Sequence, residues 1–308
     1  MQIRKQWRVL CSLPLVWVGL YSSPAALGQS LAVVKSRDIA PYNQAIEGFA
    51  TACNLPFTLY DVAEEASRHA MMQRLKAAQP AIILSVGTLA TQLVQEAIDH
   101  IPLVFCMVPN PYKFLTKGKK IAGVSLDIPI RQQLMTYKAL VPALQTLGTI
   151  ADPNKTGAMA SEASLIASTL GLHLLAPVVT SQKEVPAAWR GLLGKIEAFW
   201  MLPDDTVITP DSFKFLLLET LKNNLPFLAT SDIFVKAGAF ASLSPDYGEV
   251  GRQACQLTRQ LHQGQWPPEG EAVIPPAKVN LAINLTTARK IGLTLSADVL
   301  RTANQVFE

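Results

Sequence analysis

Short apolar runs alternate with stretches of helical spacing along almost the whole chain. Residues 81–86 form an apolar run with β-branched members, and Gly87-Thr88 interrupts it. Residues 89–100 then set Leu89, Leu93, Ala97 and His100 near one helical face, Pro102 stops that stretch, and residues 103–108 are a second apolar run. Two continuous apolar strands around one crossover helix predict a parallel sheet covered on both faces. The same alternation predicts strands at 31–34, 57–60 and 122–125, with helices over 41–53, 66–78 and 130–140. A second series places strands at 146–150, 173–177, 198–202, 226–229 and 239–243, with helices over 161–170, 185–193, 212–222 and 247–262. The tail adds a strand at 272–274, a helix at 285–291 and a short helix after Ser296. Two successive series predict an α/β fold of two doubly wound, Rossmann-like lobes joined by a hinge. Residues 31–125 with 241–267 are expected in the first lobe, and 126–240 with 268–308 in the second. Lobes joined by short crossings can close on a ligand.

The first residues read differently. Arg4, Lys5 and Arg8 precede a mainly apolar stretch over 9–20, and Ala26-Leu27-Gly28 supplies small residues at cleavage-type positions. This pattern reads as a secretory signal peptide over residues 1–28, cut after Gly28, which implies export to the periplasm. The alternative is an uncleaved anchor, but the apolar stretch falls short of the ~20 residues a spanning helix needs, and Pro14 and Pro24 interrupt it. Removing residues 1–28 lowers the net charge from +4 to +1, leaving 24 Lys+Arg against 23 Asp+Glu, so the basic balance belongs largely to the leader. Lys117, Lys119 and Lys120 are the tight basic cluster that remains; they read as a solvated turn, and no nucleic-acid partner is expected. The remainder, of a chain of 308 residues and 49% hydrophobic composition, is long enough for a sizeable core. Its three cysteines, Cys53, Cys106 and Cys255, are widely spaced and odd in number, which argues against a disulfide framework and permits at most one bridge.

Catalytic and metal signatures are missing from the sequence. His69, His100, His173 and His262 are isolated, without a second His or Cys at metal-ligand spacing, and no metal or cofactor is expected. No nucleophile elbow, zinc-protease helix motif, phosphate-binding P-loop or dinucleotide glycine fingerprint occurs. Asp204-Asp205 is the one paired carboxylate at a strand end; with no nucleophile beside it, binding or helix capping is the better reading than acid–base work.

Several motifs, in order, carry a family resemblance. Ala45-Ile46-Glu47-Gly48-Phe49, Gly87-Thr88-Leu89-Ala90, Ile101-Pro102-Leu103-Val104-Phe105, Gly123-Val124-Ser125, Pro203-Asp204-Asp205-Thr206-Val207, the stretch from Gly238 to Leu243 with Asp246-Tyr247 and Gly251, Val279-Asn280 and Ile291-Gly292-Leu293 together span about residues 31–300. The series resembles the solute-binding proteins of ABC transporters with a type I periplasmic-binding fold, in the branch associated with tryptophan and tyrosine. Two loops depart from that pattern: Asn110-Pro111-Tyr112-Lys113-Phe114, where the family usually has Asp-Pro and a glycine-rich loop, and the stretch from Ala151 to Thr156, where it often has Tyr-Asn-Pro. Both line the cleft in such a fold, so the departures bear on the solute rather than on the architecture. The resemblance implies a monomer that hands a small molecule to an ABC permease in the inner membrane.

An amino-acid-like ligand needs N–H donors for its carboxylate, an acid for its ammonium and a surface for its side chain. The turn of Gly87, Thr88 and Leu89 can supply the first at a helix N-terminus, although Thr88 could equally be a plain N-cap. Asp205 is the candidate for the ammonium, with a loop or cap carboxylate as the alternative. Tyr42, Tyr112, Trp200 and Tyr247 are candidate walls or, alternatively, core. Ser36, Asn110, Thr230, Ser231 and Asp246 form a polar rim by strand-end position, and Asp152 joins them from its loop. Three outputs stay open: an importer component, a ligand sensor that signals to a membrane receptor kinase, and a secreted enzyme using Asp204 and Asp205.

Overall fold

The computed structural model describes residues 31–113, 115–116, 120–265 and 272–308. The first series forms β1 (Leu31–Lys35), α1 (Ala40–Cys53), β2 (Phe57–Asp61), α2 (Glu65–Ala78), β3 (Ile82–Val86), α3 (Thr88–Ala97), β4 (Leu103–Val108) and β5 (Ile121–Ser125). The second forms α4 (Ile130–Leu140), β6 (Thr146–Gly148), α5 (Gly157–Thr169), β7 (His173–Leu175), α6 (Val185–Leu192), β8 (Ala198–Trp200), α7 (Pro210–Lys222), β9 (Phe227–Ala229), α8 (Asp232–Lys236) and β10 (Ala241–Pro245). Then follow α9 (Tyr247–His262), β11 (Val273–Ile274), β12 (Val279–Asn284), α10 (Leu285–Lys290), α11 (Ala297–Thr302) and β13 (Gln305–Phe307). The leader expected over residues 1–28 and its cleavage point lie outside the described residues, as do Lys117 and Lys119.

Two sheets result, with strand orders β11-β5-β4-β3-β1-β2 and β13-β12-β10-β9-β8-β6-β7. All pairs are parallel except β10 with β12. β1, β3, β4 and β5 are buried along their whole length because helices cover both faces. Successive side chains go to opposite sides. Val33 and Leu84 pack with Phe49 of α1 and Val250 of α9, whereas Val34 and Ile83 pack with Leu75 of α2 and Val94 of α3. In the second sheet Leu147 and Leu228 pack with Leu134 of α4 and Ala163 of α5, and Phe199 and Phe227 with Trp189 of α6 and Leu216 of α7. Helix ends follow local chemistry: α1 and α2 stop at the left-handed residues Asn54 and Gln79, and α7 opens on a Thr209/Ser212 capping box with Pro210 in its first turn.

The two-lobe α/β architecture matches the sequence expectation, but the division of the chain needs correction. Backbone ladders hold Ala241–Pro245 between β9 and β12, so β10 belongs to the second sheet rather than the first lobe. Val273–Ile274 pairs with β5, so β11 belongs to the first sheet rather than the second lobe. The chain therefore passes between lobes after β5, between β10 and α9, and between β11 and β12. α8, β12 and β13 are additions, and α3 ends at Ala97 instead of continuing to residue 100.

α1 and α9 lie against each other at glycines. A Cβ on Gly48 would stand 2.1 Å from the Gly248 carbonyl oxygen, and one on Gly251 only 1.9 Å from that of Ala45. The same two helices are joined by a Cys53–Cys255 disulfide, Cα to Cα 5.5 Å, which is the one bridge that three cysteines permit. Cys106 is free and wholly buried, and burial pushes its thiol up to about 12.

Candidate functional site

Both sheets point their carboxyl strand ends toward the crossings, since β5, β10 and β11 each run directly into one. Ligands of open α/β sheets bind in that position. Three groups of bonds fix the crossings. Asp127 accepts from the Ser125 hydroxyl and the Asn110 N–H, both at 2.8 Å. Asp246 pairs with Lys278 at 2.8 Å, and the buried Gln253 donates to the Pro275 carbonyl at 3.1 Å and accepts from the Ala277 N–H at 2.9 Å. Burial opposes ionisation of Asp246, yet Lys278 and the Glu249 N–H hold its carboxyl below the usual carboxylate range.

On the first lobe, Ser36, Tyr42, Gly87, Thr88 and Leu89 come together. Gly87 has φ +91°, and a Cβ there would meet the Tyr42 hydroxyl at 2.6 Å and the Ser36 hydroxyl oxygen at 2.7 Å. Ser36, from the end of β1, accepts from the Ala90 N–H at 2.8 Å and so caps α3 across 54 residues of sequence. The helix N-cap is Gly87, so Thr88 is the first helical residue and not the cap. The Thr91 hydroxyl donates to the Gly87 carbonyl at 2.9 Å and meets the Ser85 hydroxyl at 2.8 Å. This leaves the N–H groups of Thr88 and Leu89, which have no acceptor within the helix, at the positive end of its dipole. Burial raises the Tyr42 phenol pKa, and Arg37 draws part of that back.

On the second lobe, Asp152 and Asp204 tie two loops together. Buried Asp204 accepts from the Asp152 N–H at 2.8 Å, the Thr156 hydroxyl, and the Thr206 and Val207 N–H groups at 3.0 and 3.2 Å. Asp152 accepts from the Thr206 hydroxyl at 2.7 Å and the Asn154 N–H at 2.9 Å, which holds its carboxyl below the ordinary value. Asp204→Ala should leave four donors without an acceptor and cost about 2–3 kcal/mol in urea unfolding, with Asp204→Asn recovering part of the loss; an unchanged midpoint would show the loops to be held otherwise. Asp205, unlike its neighbour, is exposed, and its carboxylate is paired with Lys155. Lys113 of the first lobe donates to the Lys155 carbonyl at 2.9 Å, bridging the lobes.

The remaining candidates scatter. Asn110 is tied to the first crossing through its N–H, Asp246 caps α9 at the second, and Thr230 and Ser231 lie half-buried past the end of β9. Trp200 is no wall: it is 1% exposed, packed edge-on to Tyr137 at 6.0 Å between ring centres. Tyr112 stands 68% exposed at the end of β4. Lys113 and Lys155 carry no local site signal in the sequence, because their contacts join segments 42 and 50 residues apart. Among the described residues, no group of three His, Cys, Asp or Glu could hold a metal ion.

This geometry has relatives. A tyrosine-binding protein of Clostridioides difficile is 24% identical over 192 residues, 60% of this chain and 55% of the relative, so the match spans about half of that protein's length. Among solved structures, a ligand-free, open substrate-binding protein with adhesive properties from Clostridium difficile superposes with a TM-score of 0.77 at 17% identity, covering 91% of this chain and 99% of that one. An ABC domain from Streptococcus pneumoniae in complex with L-Trp gives a TM-score of 0.62 at 20% identity, covering 90% and 100%. The model of the ABC transporter substrate-binding proteins matches residues 59–307, well over half of the chain, and the chain belongs to the ABC transporter substrate binding protein family.

Proposed function

We propose that this chain is the extracytoplasmic component of an ABC importer and that it binds an amino acid with an aromatic side chain between its lobes. The observation that carries the ligand reading is the turn at Gly87: two backbone N–H groups without helix partners, braced by Ser36 and Tyr42 at the carboxyl end of β3. Such a turn suits a carboxylate, because the donors are fixed before the ligand arrives and the helix dipole adds to them. The tyrosine-binding relative and the tryptophan-bound neighbour support an aromatic amino acid. Location outside the cytoplasm fits the family, the basic-then-apolar leader pattern and a disulfide, since such bonds persist in oxidising compartments. The permease that receives the closed, loaded form is the expected partner.

A thermal-shift screen against amino acids, aromatic acids, nucleosides and sugars tests the reading. A ligand that binds only the folded state adds about 2.7 kcal/mol at a hundredfold excess over its dissociation constant. A selective upward shift with tyrosine, tryptophan or phenylalanine is expected; a shift confined to sugars or nucleosides overturns the amino-acid assignment. Gly87→Ala should lower stability by about 1–2 kcal/mol, through its positive φ and the collision with Tyr42 and Ser36, and should abolish the ligand-induced shift. Ligand response undiminished in Gly87→Ala would remove the turn from the site.

A further inference from the structure

At the amino ends of the first sheet's strands, away from the crossings, the helix pair leaves a cavity. α1 stops at Cys53, where the left-handed Asn54 turns the chain toward β2, while α9 runs on past Cys255 to His262. β1 and β3 begin side by side beneath this overhang, with Leu31 opposite Ile82. The space so enclosed is about 210 Å³. Leu31, Ile82 and Cys53, all buried members of the first-lobe core, line it, and half-buried Leu55 and Ala81 extend the apolar wall.

The polar part of the lining has one sign. Arg259 and His262, both in the last turn of α9, are exposed to solvent and to the cavity, and no acidic residue lines it. The Arg259 guanidinium is anchored by the carbonyls that end α1: Nη2 donates to Ala52 at 2.9 Å and to Cys53 at 3.3 Å. These acceptors are neutral, and among the described residues no carboxylate pairs with Arg259 or with His262. A guanidinium carries five N–H donors, and the two carbonyls share a single nitrogen, so Nε and Nη1 keep theirs. An apolar cavity is thus closed on one side by a positioned cation that lacks an anion.

We propose that this cavity is a second binding site, for a small carboxylate with an apolar body about the size of one aromatic ring. The body lies on Leu31 and Ile82, and the carboxylate meets Arg259 with His262 beside it. Size supports this occupant: an apolar cavity of about 150 Å³ accepts benzene, so the larger space here holds a ring and its carboxylate. Charge supports it too, because a guanidinium matches a carboxylate in shape and is weakly hydrated, which lowers the cost of pairing at an apolar edge. The site is separate from the α3 turn. Ile82 opens β3 and Gly87 follows its end, so the five residues of the strand keep the two places about 17 Å apart.

Fluorine NMR titration of wild type, Arg259→Gln and Ala81→Phe with 4-fluorobenzoate and with its neutral analogue 4-fluorobenzyl alcohol tests this. Wild type should bind the carboxylate about 10-fold or more tighter than the alcohol. Arg259→Gln should weaken the carboxylate about 10- to 100-fold, the range of a lost charge-assisted bond, and leave the alcohol within about twofold. Ala81→Phe, which places a ring in the cavity wall, should abolish saturable binding of both. Equal affinity of wild type for the two compounds overturns the inference, as does saturable binding of neither up to about 10 mM, past the affinity expected of a single-ring ligand. So does carboxylate affinity unchanged in Arg259→Gln or in Ala81→Phe, which would place the compound elsewhere, the α3 turn included. Arg259 also caps α1, and if Arg259→Gln fails to fold, the wild-type preference and Ala81→Phe still decide the matter.

Discussion

Gly251→Ala is expected to destabilise the protein by about 4 kcal/mol or more, above the usual 1–3 kcal/mol for overpacking a core. The added methyl would stand 1.9 Å from the Ala45 carbonyl oxygen and 2.8 Å from the Phe49 backbone nitrogen, so the obstruction is main chain and no rotamer change relieves it. α1 and α9 would have to separate. That movement would open the face of the first sheet where Phe49, Val250 and Ala254 meet Val33 and Leu84. It would also pull on Cys53 and Cys255, which join the same helices. Gly191→Ala is the matched control: it lies in α6, with nothing within 4 Å of the added atom, and should be neutral or stabilising by up to about 1 kcal/mol through helix propensity. Urea unfolding of the two variants beside wild type decides the matter. Coincident midpoints for Gly251→Ala and Gly191→Ala would refute the close-packed account of this helix pair.

The sequence made the parallel cores easy to read and the lobe assignments hard. Residues 103–108 are apolar throughout, and 82–86 are interrupted only by Ser85, because helices cover both faces, and that near-continuity is visible in one dimension. Which sheet a strand joins is not. β11 is only two residues long, and the allegiance of β10 and β11 depends on backbone ladders to β9 and β5 rather than on composition. β12 reads Val-Asn-Leu-Ala-Ile-Asn, a mixed pattern directly after a crossing, and α8 is too short to show helical periodicity. The Gly87-Thr88 turn announced itself because a glycine between an apolar run and a helix is a local signal. Its brace did not, because Ser36 caps α3 from another strand. The acids were the least legible. Asp204 and Asp205 are adjacent in sequence, yet one is buried under four donors and the other is exposed beside Lys155.

Removing the Cys53–Cys255 bridge, by Cys53→Ala with Cys255→Ala, should lower stability by about 3–5 kcal/mol. The bond closes a loop across a sequence separation of 202, and chain-entropy reasoning puts a loop of that size near the upper end of what one disulfide contributes, about 5 kcal/mol. Residual structure in the unfolded chain makes the lower part of the range the firmer expectation. Much of the effect is expected in the unfolded state, so the folded sheets and the α3 turn should persist in the variant and ligand should still shift its midpoint. Reductant alone is a slower route to the same end: both sulfurs belong to residues no more than 3% exposed, so thiol attack waits on an opening of the α1–α9 contact. Cys106 offers no rescue by re-pairing in the native state, because it is fully buried and its thiol is held protonated. The check is urea unfolding of oxidised protein, of protein reduced while unfolded and then refolded in reductant, and of the double variant with and without reductant. The last two should coincide with each other and fall below the oxidised protein. If all four midpoints agree, the bridge constrains nothing that folding has not already fixed, and glycine packing alone holds α1 to α9.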